Sequence, residues 1–85
     1  MWHVFVPKPV LRGLARVPAG DERRIWAALD AMQSDPFGGN LKHLFGAQYR
    51  RRVGAYRIIF EVDAPRRTVN VKEIVRRTTT TYRER

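Results

Sequence analysis

Four arginines surround a predicted turn in the segment QYRRRVGAYRIIF, residues 48–60. A two-residue type II′ turn at Gly54-Ala55 would place Arg52 directly opposite Arg57 on the neighbouring strand. Because side chains alternate between the two faces of a sheet, Arg50, Arg52 and Arg57 are then expected on one face. Opposed like charges destabilise a strand pair, and a bound anion would offset this cost. Guanidinium groups fit phosphate oxygens, so the cluster indicates phosphate binding or electrostatic catalysis of phosphoryl chemistry; the alternative is a solvated basic surface.

Further candidates for this chemistry follow the last predicted strand. Arg76 and Arg77 form a second basic cluster with Tyr82, and its position relative to the turn depends on a register that the sequence does not fix. Tyr82 could transfer a proton or stack on a base, and the alternative is an ordinary tail tyrosine. Histidine is a common general acid or base in enzymes, but we interpret both His3 and His43 as structural or surface residues, with RNA contact still open for His43.

Other catalytic and metal-binding patterns are absent from the sequence. The chain has no cysteine and therefore neither a disulfide nor a thiolate zinc site. We recognise no carboxylate pair, metal-ligand cluster or Ser/His/Asp set, and Gly38-Gly39 is not followed by the Lys-Ser/Thr of a P-loop. We therefore predict no metal and no cofactor.

The charge balance favours an anionic partner. Seventeen Lys and Arg against eight Asp and Glu give a formal net charge of +9, which suits a polyanion, an acidic protein or an anionic membrane. Most of the basic residues are arginines, which favours phosphate recognition. No apolar run is long enough to span a bilayer, no segment has the pattern of a membrane-surface helix, and the first residues lack a signal-peptide pattern. The simplest prediction is a cytoplasmic protein with no membrane contact.

The elements that must position these residues are a first strand, two helices and then further strands. We predict a strand at residues 2–6, a helix from Pro9 that closes at Pro18, and a second helix that is capped by Asp21 and stops before Pro36. Residues between this helix and residue 49, His43 among them, are predicted to form a loop. Alternating apolar residues predict a hairpin over residues 49–62 and a final strand over residues 68–75, with a bulge between Val71 and Ile74.

These elements predict an α+β fold in the order βααβββ. A small, mostly antiparallel sheet is expected to pack against two N-terminal antiparallel helices. A chain of 85 residues is sufficient for one modest core, so residues 1–85 are predicted to form a single domain.

Over nearly its whole length the chain resembles the RelE/ParE superfamily of type II toxins, and most of all the RelE-like mRNA interferases. The resemblance is carried by RRIWAALDAMQSDP, NLKHLFG, YRRRVGAYRIIFEVD and VNVKEIVRR in this order, with a tyrosine shortly after; RVGAYRIIF is the most specific part. The resemblance implies a RelE-like fold and a toxin that enters the ribosomal A site. There it would cut mRNA by attack of the ribose 2′-hydroxyl on the adjacent phosphate, without a metal.

The resemblance also implies an antitoxin that holds the toxin inactive, with promoter DNA contacted only through the toxin–antitoxin complex. An acidic, partly disordered antitoxin would suit the +9 charge.

The resemblance further implies a role for individual residues. Arg57 matches the family arginine after the Gly-x-Tyr turn, which stabilises the charged phosphate. Arg76 or Arg77 matches the arginine that protonates or neutralises the leaving group. Tyr82 matches a tail tyrosine that stacks on a base or assists proton transfer.

Arg50 and Arg52 lie where some members of the family carry basic residues, including a lysine that serves as the general base. Arginine stays protonated in proteins, so the general base is not assigned. Arg52 is included among the catalytic candidates. Contacts with RNA or phosphate are predicted for Lys42, His43, Arg50, Arg51 and Arg83.

Two alternatives to the nuclease are retained. The first is a ParE-like toxin of the same fold that inhibits DNA gyrase without nuclease chemistry; its members often lack the basic and tyrosine set, so Arg57 and Tyr82 count against it. The second is a non-toxic basic protein that only binds nucleic acid or an antitoxin.

Overall fold

Five strands form a single sheet, and two helices cover one of its faces. In the computed structural model, which describes residues 1–77, the strands are β1 (His3–Phe5), β2 (Asn40–Phe45), β3 (Gln48–Val53), β4 (Tyr56–Asp63) and β5 (Thr68–Arg76), and the helices are α1 (Lys8–Leu14) and α2 (Ala19–Met32). The strand order is β1-β5-β4-β3-β2; β1 is parallel to β5, and all other neighbours are antiparallel. The predicted α+β class and mostly antiparallel sheet are confirmed, with β2 as one strand more than the predicted order contained. No helix within residues 1–77 is long and apolar enough to cross a membrane.

Prolines mark the start of both helices. Pro9 lies in the first turn of α1, where its missing N–H costs no helical hydrogen bond. α1 ends at Leu14, earlier than the predicted boundary at Pro18, and Pro18 is instead the N-cap residue of α2. The prediction that Asp21 caps α2 is wrong, because no side chain makes a capping hydrogen bond there. Asp21 lies in the first turn, where it pairs with Arg24 at 3.2 Å and its charge complements the helix dipole.

The core lies between the two helices and the central strands. Along β4, buried residues alternate with half-buried ones over all eight positions, and Ile58 and Phe60 are completely buried. The buried apolar cluster consists of Leu14, Ile25, Ala28, Leu29, Met32, Tyr56, Ile58, Phe60, Val62, Val69 and Val71. Burying each large apolar side chain contributes roughly 1.5–3 kcal/mol. One face of β4 is therefore fixed in the core, while its other face is left uncovered by the helices.

The hairpin of β3 and β4 has the predicted register. Arg52 pairs with Arg57, and Val53 pairs with Tyr56. Gly54 has a φ of +57°, whereas Ala55 does not have a positive φ. Positive φ at the first central residue alone is what a type II′ turn requires.

β2 corrects the prediction that residues before the hairpin, including His43, form a loop. It pairs with β3 at the edge of the sheet, with a register shift between His43 and Phe45. Only Leu41 among its six residues is half-buried, and the others are exposed. Without a buried face, β2 lacks the apolar alternation by which strands are recognised in a sequence.

The predicted bulge in the last strand is confirmed. Ile59 pairs with Glu73 and Phe60 with Val71, which leaves Lys72 as an extra residue on β5. The bulge keeps Val71 on the core side and brings the end of β5 alongside the hairpin turn, where Arg76 pairs with Tyr56.

Candidate functional site

Four basic side chains lie together on the sheet face that the helices leave uncovered. Lys42 of β2 is opposite Arg50 of β3, and Arg52 of β3 is opposite Arg57 of β4. Residues directly opposite each other on neighbouring strands have their side chains on the same face of the sheet. In β4, Arg57 is adjacent to the buried Ile58, so the Arg57 side chain lies on the face away from the core. We call the surface formed by Lys42, Arg50, Arg52 and Arg57 the basic face.

The geometry of the sheet brings these cations close to one another. Opposed residues such as Arg52 and Arg57 have Cβ atoms about 4.5–5.5 Å apart, and Arg50 is about 7 Å from Arg52 along the strand. Such spacings allow two guanidinium groups to contact the oxygens of one phosphate. The basic face can therefore bind a phosphodiester or stabilise negative charge that develops on it.

The cations of the basic face are not neutralised within the described chain. None of the ion pairs within residues 1–77 involves Lys42, Arg50, Arg52 or Arg57. The Nε atoms of Arg50 and Arg57 are buried and have no hydrogen-bond partner among these residues. A buried donor without an acceptor is destabilising, so an anion bound on this face would stabilise the folded protein.

The two arginines at the end of β5 diverge. The backbone N–H of Arg77 donates to the carbonyl of Ala55 at 2.6 Å, which places this residue beside the hairpin turn. Because successive side chains alternate between the two faces of the sheet, Arg77 is on the same face as Val75 and Arg57. Arg76 is on the same face as its partner Tyr56 and is exposed. Of the two candidates that the sequence left open, Arg77 is therefore the one next to the basic face. Tyr82 and Arg83, which were also predicted, lie outside the described residues.

Two predicted phosphate-binding residues lie on the opposite, helix-covered side of the sheet. Arg51 pairs with Ile58 and is half-buried on that side. His43 is opposite Tyr49, with the ring centroids 4.9 Å apart, and its Nε2 lies 2.8 Å from the carbonyl oxygen of Gly46. The structure therefore separates Arg51 and His43 from the basic face.

A carboxylate that the sequence analysis did not select lies near Arg57. Glu73 pairs with Ile59, and Val75 pairs with Arg57, so Glu73 is a diagonal neighbour of Arg57 at about 7–8 Å on the same face. Glu73 is exposed and forms no ion pair within residues 1–77. The bulge at Lys72 hides this placement in the sequence, because uninterrupted alternation would place Glu73 on the same face as the buried Val71.

The described residues offer no cluster for a metal ion. Within residues 1–77 no three His, Asp or Glu side chains are grouped as ligands, and His3 lies on β1 at the edge of the sheet farthest from β2. The basic face can supply charge stabilisation by guanidinium groups, and the Glu73 carboxylate lies nearby.

Several solved structures of RelE toxins, alone or with a RelB antitoxin, share the fold of this chain. The chain superposes on RelE of the RelE–RelB complex from Pyrococcus horikoshii with a TM-score of 0.85 at 24% identity, covering 92% of this chain and 97% of that one. For the isolated Escherichia coli RelE toxin the TM-score is 0.78 at 14% identity, with 99% and 94% covered. For the RelB–RelE complex of Methanococcus jannaschii it is 0.73 at 22% identity, with 95% and 99% covered. No family model matches the chain, and no curated protein sequence matches it significantly. The fold is that of the RelE toxins.

Proposed function

We propose that this chain is the toxin of a type II toxin–antitoxin pair and a ribosome-dependent endoribonuclease that cleaves mRNA in the A site. The observation that carries the proposal is the pairing of Arg52 with Arg57 on the open face of a RelE-type fold. Two opposed guanidinium groups without acidic partners in the described chain are costly for a structural protein and useful for a phosphodiesterase.

In the proposed reaction, the ribose 2′-oxygen attacks the adjacent phosphorus and the bond to the 5′-oxygen of the next nucleotide breaks. The products are a cyclic phosphate and a free 5′-hydroxyl. Negative charge increases on the phosphate oxygens as the new bond forms, and Arg57, with Arg52 beside it, is assigned to stabilise this charge. Arg50 and Lys42 extend the same face and are assigned to the flanking phosphates of the strand.

Two proton transfers complete the reaction. A base must accept the proton of the 2′-hydroxyl, and arginine cannot serve because it stays protonated. Glu73 is the carboxylate diagonal to Arg57, and we assign it this role. Arg77, beside the turn, is assigned to stabilise the negative charge on the leaving 5′-oxygen, which takes its proton from water or from Tyr82. Tyr82 is assigned to stacking on a base of the mRNA or to proton transfer, as the resemblance implies.

The proposed partners follow from the same fold and charge. The structures from Pyrococcus horikoshii and Methanococcus jannaschii hold RelE together with RelB, and a chain of net charge +9 is suited to an acidic antitoxin. We assign this chain a cognate acidic antitoxin, the ribosome and its mRNA, and promoter DNA only through the antitoxin complex. It would act in the cytoplasm without a membrane partner.

The test is primer extension on a reporter mRNA in a purified translation system, with growth measured on induced expression. The wild type is expected to produce ribosome-dependent cuts and growth arrest, and Arg57→Ala to lose both. Arg66→Ala is the matched control, because Arg66 is exposed in the loop after β4 and, within residues 1–77, forms an ion pair only with Asp63 at 3.3 Å. Cuts that persist in Arg57→Ala would refute the site. Arrest without cuts would move the assignment to gyrase, for which a supercoiling assay is decisive.

A further inference from the structure

A second basic feature lies on the helix side of the sheet, at the end where the hairpin turns. It is an open cleft of about 420 Å³ between α2 and the end of β3. The residues of its apolar floor are Ala27, Ala28 and Val53, and the basic residues that line it are Arg24, Arg51 and Arg52. None of the described residues that line it is acidic.

The guanidinium of Arg51 is held in this cleft with an unused donor. Its Nη1 atom is buried and has no hydrogen-bond partner within residues 1–77. On one side it lies against Gly39, where an added Cβ would come within 2.6 Å of Nε. Gly39 also has a φ of +77°, a conformation that favours glycine. Glycine at this position leaves room for Arg51, whose guanidinium has no ion pair within residues 1–77 and can interact with an anion in the cleft.

Arg24 adds a second cation at the mouth of the cleft. Its side chain is 67% exposed and pairs with Asp21 at 3.2 Å, an exposed pair of small energy that another carboxylate can replace. Its Nη1 atom would lie 3.5 Å from a Cβ atom added at Gly54, so the Arg24 side chain extends from α2 to the hairpin turn. The cleft therefore combines an aliphatic floor with guanidinium groups on more than one side.

We propose that this cleft binds an acidic, aliphatic segment of the partner protein, with a branched apolar side chain on the alanine and valine floor and a carboxylate on Arg51. This inference rests on the proposed function for the identity of the partner as the antitoxin. An RNA strand fits the cleft less well, because the described lining has no aromatic ring on which a base could stack. An aliphatic floor that lies beside cations instead matches a peptide that alternates apolar and acidic residues.

The cleft and the basic face are adjacent at the position of Arg52 on β3. This residue lines the cleft and is also the cross-strand partner of Arg57. A carboxylate bound in the cleft lowers the positive potential that Arg52 contributes at the phosphate site. The segment would thus weaken RNA binding on the opposite side of the sheet without covering it.

The test measures binding of the full chain to a fluorescein-labelled peptide in which leucine and glutamate alternate. Ala27→Glu places a competing carboxylate in the cleft, and Ala31→Glu adds the same charge one helical turn away, at an exposed position outside the cleft. We expect Ala27→Glu to weaken peptide binding about tenfold or more, a loss of about 1.4 kcal/mol, and Ala31→Glu to change it by less than about twofold. Should Ala27→Glu fail to fold, Arg24→Gln is the second variant and is expected to act in the same direction.

Two further probes distinguish between an acidic, aliphatic peptide and RNA as the ligand of the cleft. The same peptide with serine in place of leucine should bind the wild type about tenfold more weakly, since the floor then has no apolar partner. A polyuridine oligonucleotide should bind Ala27→Glu and Ala31→Glu equally. Equal loss of peptide binding in both variants would overturn the proposal in favour of unspecific charge attraction, and selective loss of the oligonucleotide in Ala27→Glu would make the cleft an RNA site. Arg57→Ala should retain peptide binding, so failure of the nuclease proposal is distinguishable from failure of this one.

Discussion

Removing the positive charge of Arg57 should stabilise the folded protein while it lowers the proposed nuclease activity. Arg57 is directly opposite Arg52, and its Nε is buried without an acceptor among the described residues. Arg57→Gln keeps part of the aliphatic chain and removes the repulsion, for which cross-strand pair energies suggest roughly 0.2–1 kcal/mol. For a domain of this size, about 0.5 kcal/mol corresponds to a rise of about 2–4 °C in the melting temperature.

The assay is thermal unfolding of the full chain at low salt and in about 1 M sodium chloride, where the Debye length falls to about 3 Å. The stabilisation should be present at low salt and should shrink at high salt. Cleavage by the same variant should fall by about 10²–10³, the loss expected when one charge-stabilising donor is removed. Arg66→Gln is the control, because it removes an attractive surface pair with Asp63 and should lower stability slightly or leave it unchanged. A melting temperature of Arg57→Gln that lies several degrees below the wild type would refute the reasoning, because Arg57 would then be a structural residue.

Three other substitutions test the core, the turn and the assigned base. Phe60→Ala should destabilise the protein by about 3–5 kcal/mol, measured by urea unfolding, because Phe60 is completely buried; a loss below about 1 kcal/mol would contradict its central place in the core. Gly54→Val should cost about 1–2 kcal/mol in the same measurement, because Gly54 has a φ of +57°, and an unchanged midpoint would argue against the type II′ turn. Glu73→Gln should reduce cleavage by about 10²–10⁴ with the melting temperature preserved. Glu61→Gln, which among the described residues loses one exposed ion pair, that with Lys72, should retain activity; equal activity of both variants would remove Glu73 from the mechanism.

The arginine register could be predicted from the sequence because two independent signals agree on it. Gly54 is the residue type that the first central position of a type II′ turn prefers, and alternation places Ile58 on the core side. Both conditions are met by one register only, in which Arg52 pairs with Arg57, as observed. The choice between Arg76 and Arg77 needed the structure, because it depends on pairing between β4 and β5.

The prediction differs from the structure at the edge strand β2 and in the faces on which single residues of β3 and β5 lie. β2 buries little of its surface, so packing leaves no pattern in its sequence, and its pairing with β3 is determined by backbone hydrogen bonds that any residue can make. Arg51 was grouped with the phosphate-binding arginines by residue type, although the same alternation that placed Arg52 outward places Arg51 inward. Its position became interpretable only with Gly39, which lies against its guanidinium. Glu73 was missed because the bulge at Lys72 shifts the alternation of β5.

The two arginines remain opposite each other because the free energy of core packing, which exceeds the energy of their repulsion, determines the register of β4. Arg57 lies between Tyr56 and Ile58, which are 7% and 0% exposed. A slip of β4 by one residue would separate Arg57 from Arg52, but it would also turn Ile58 and Phe60 out of the core. Exposing these two side chains costs roughly 1.5–3 kcal/mol each, several times the roughly 0.2–1 kcal/mol expected of a cross-strand pair. The buried face of β4 therefore holds Arg57 against its like-charged neighbour, and the cations are presented at fixed positions before any anion binds.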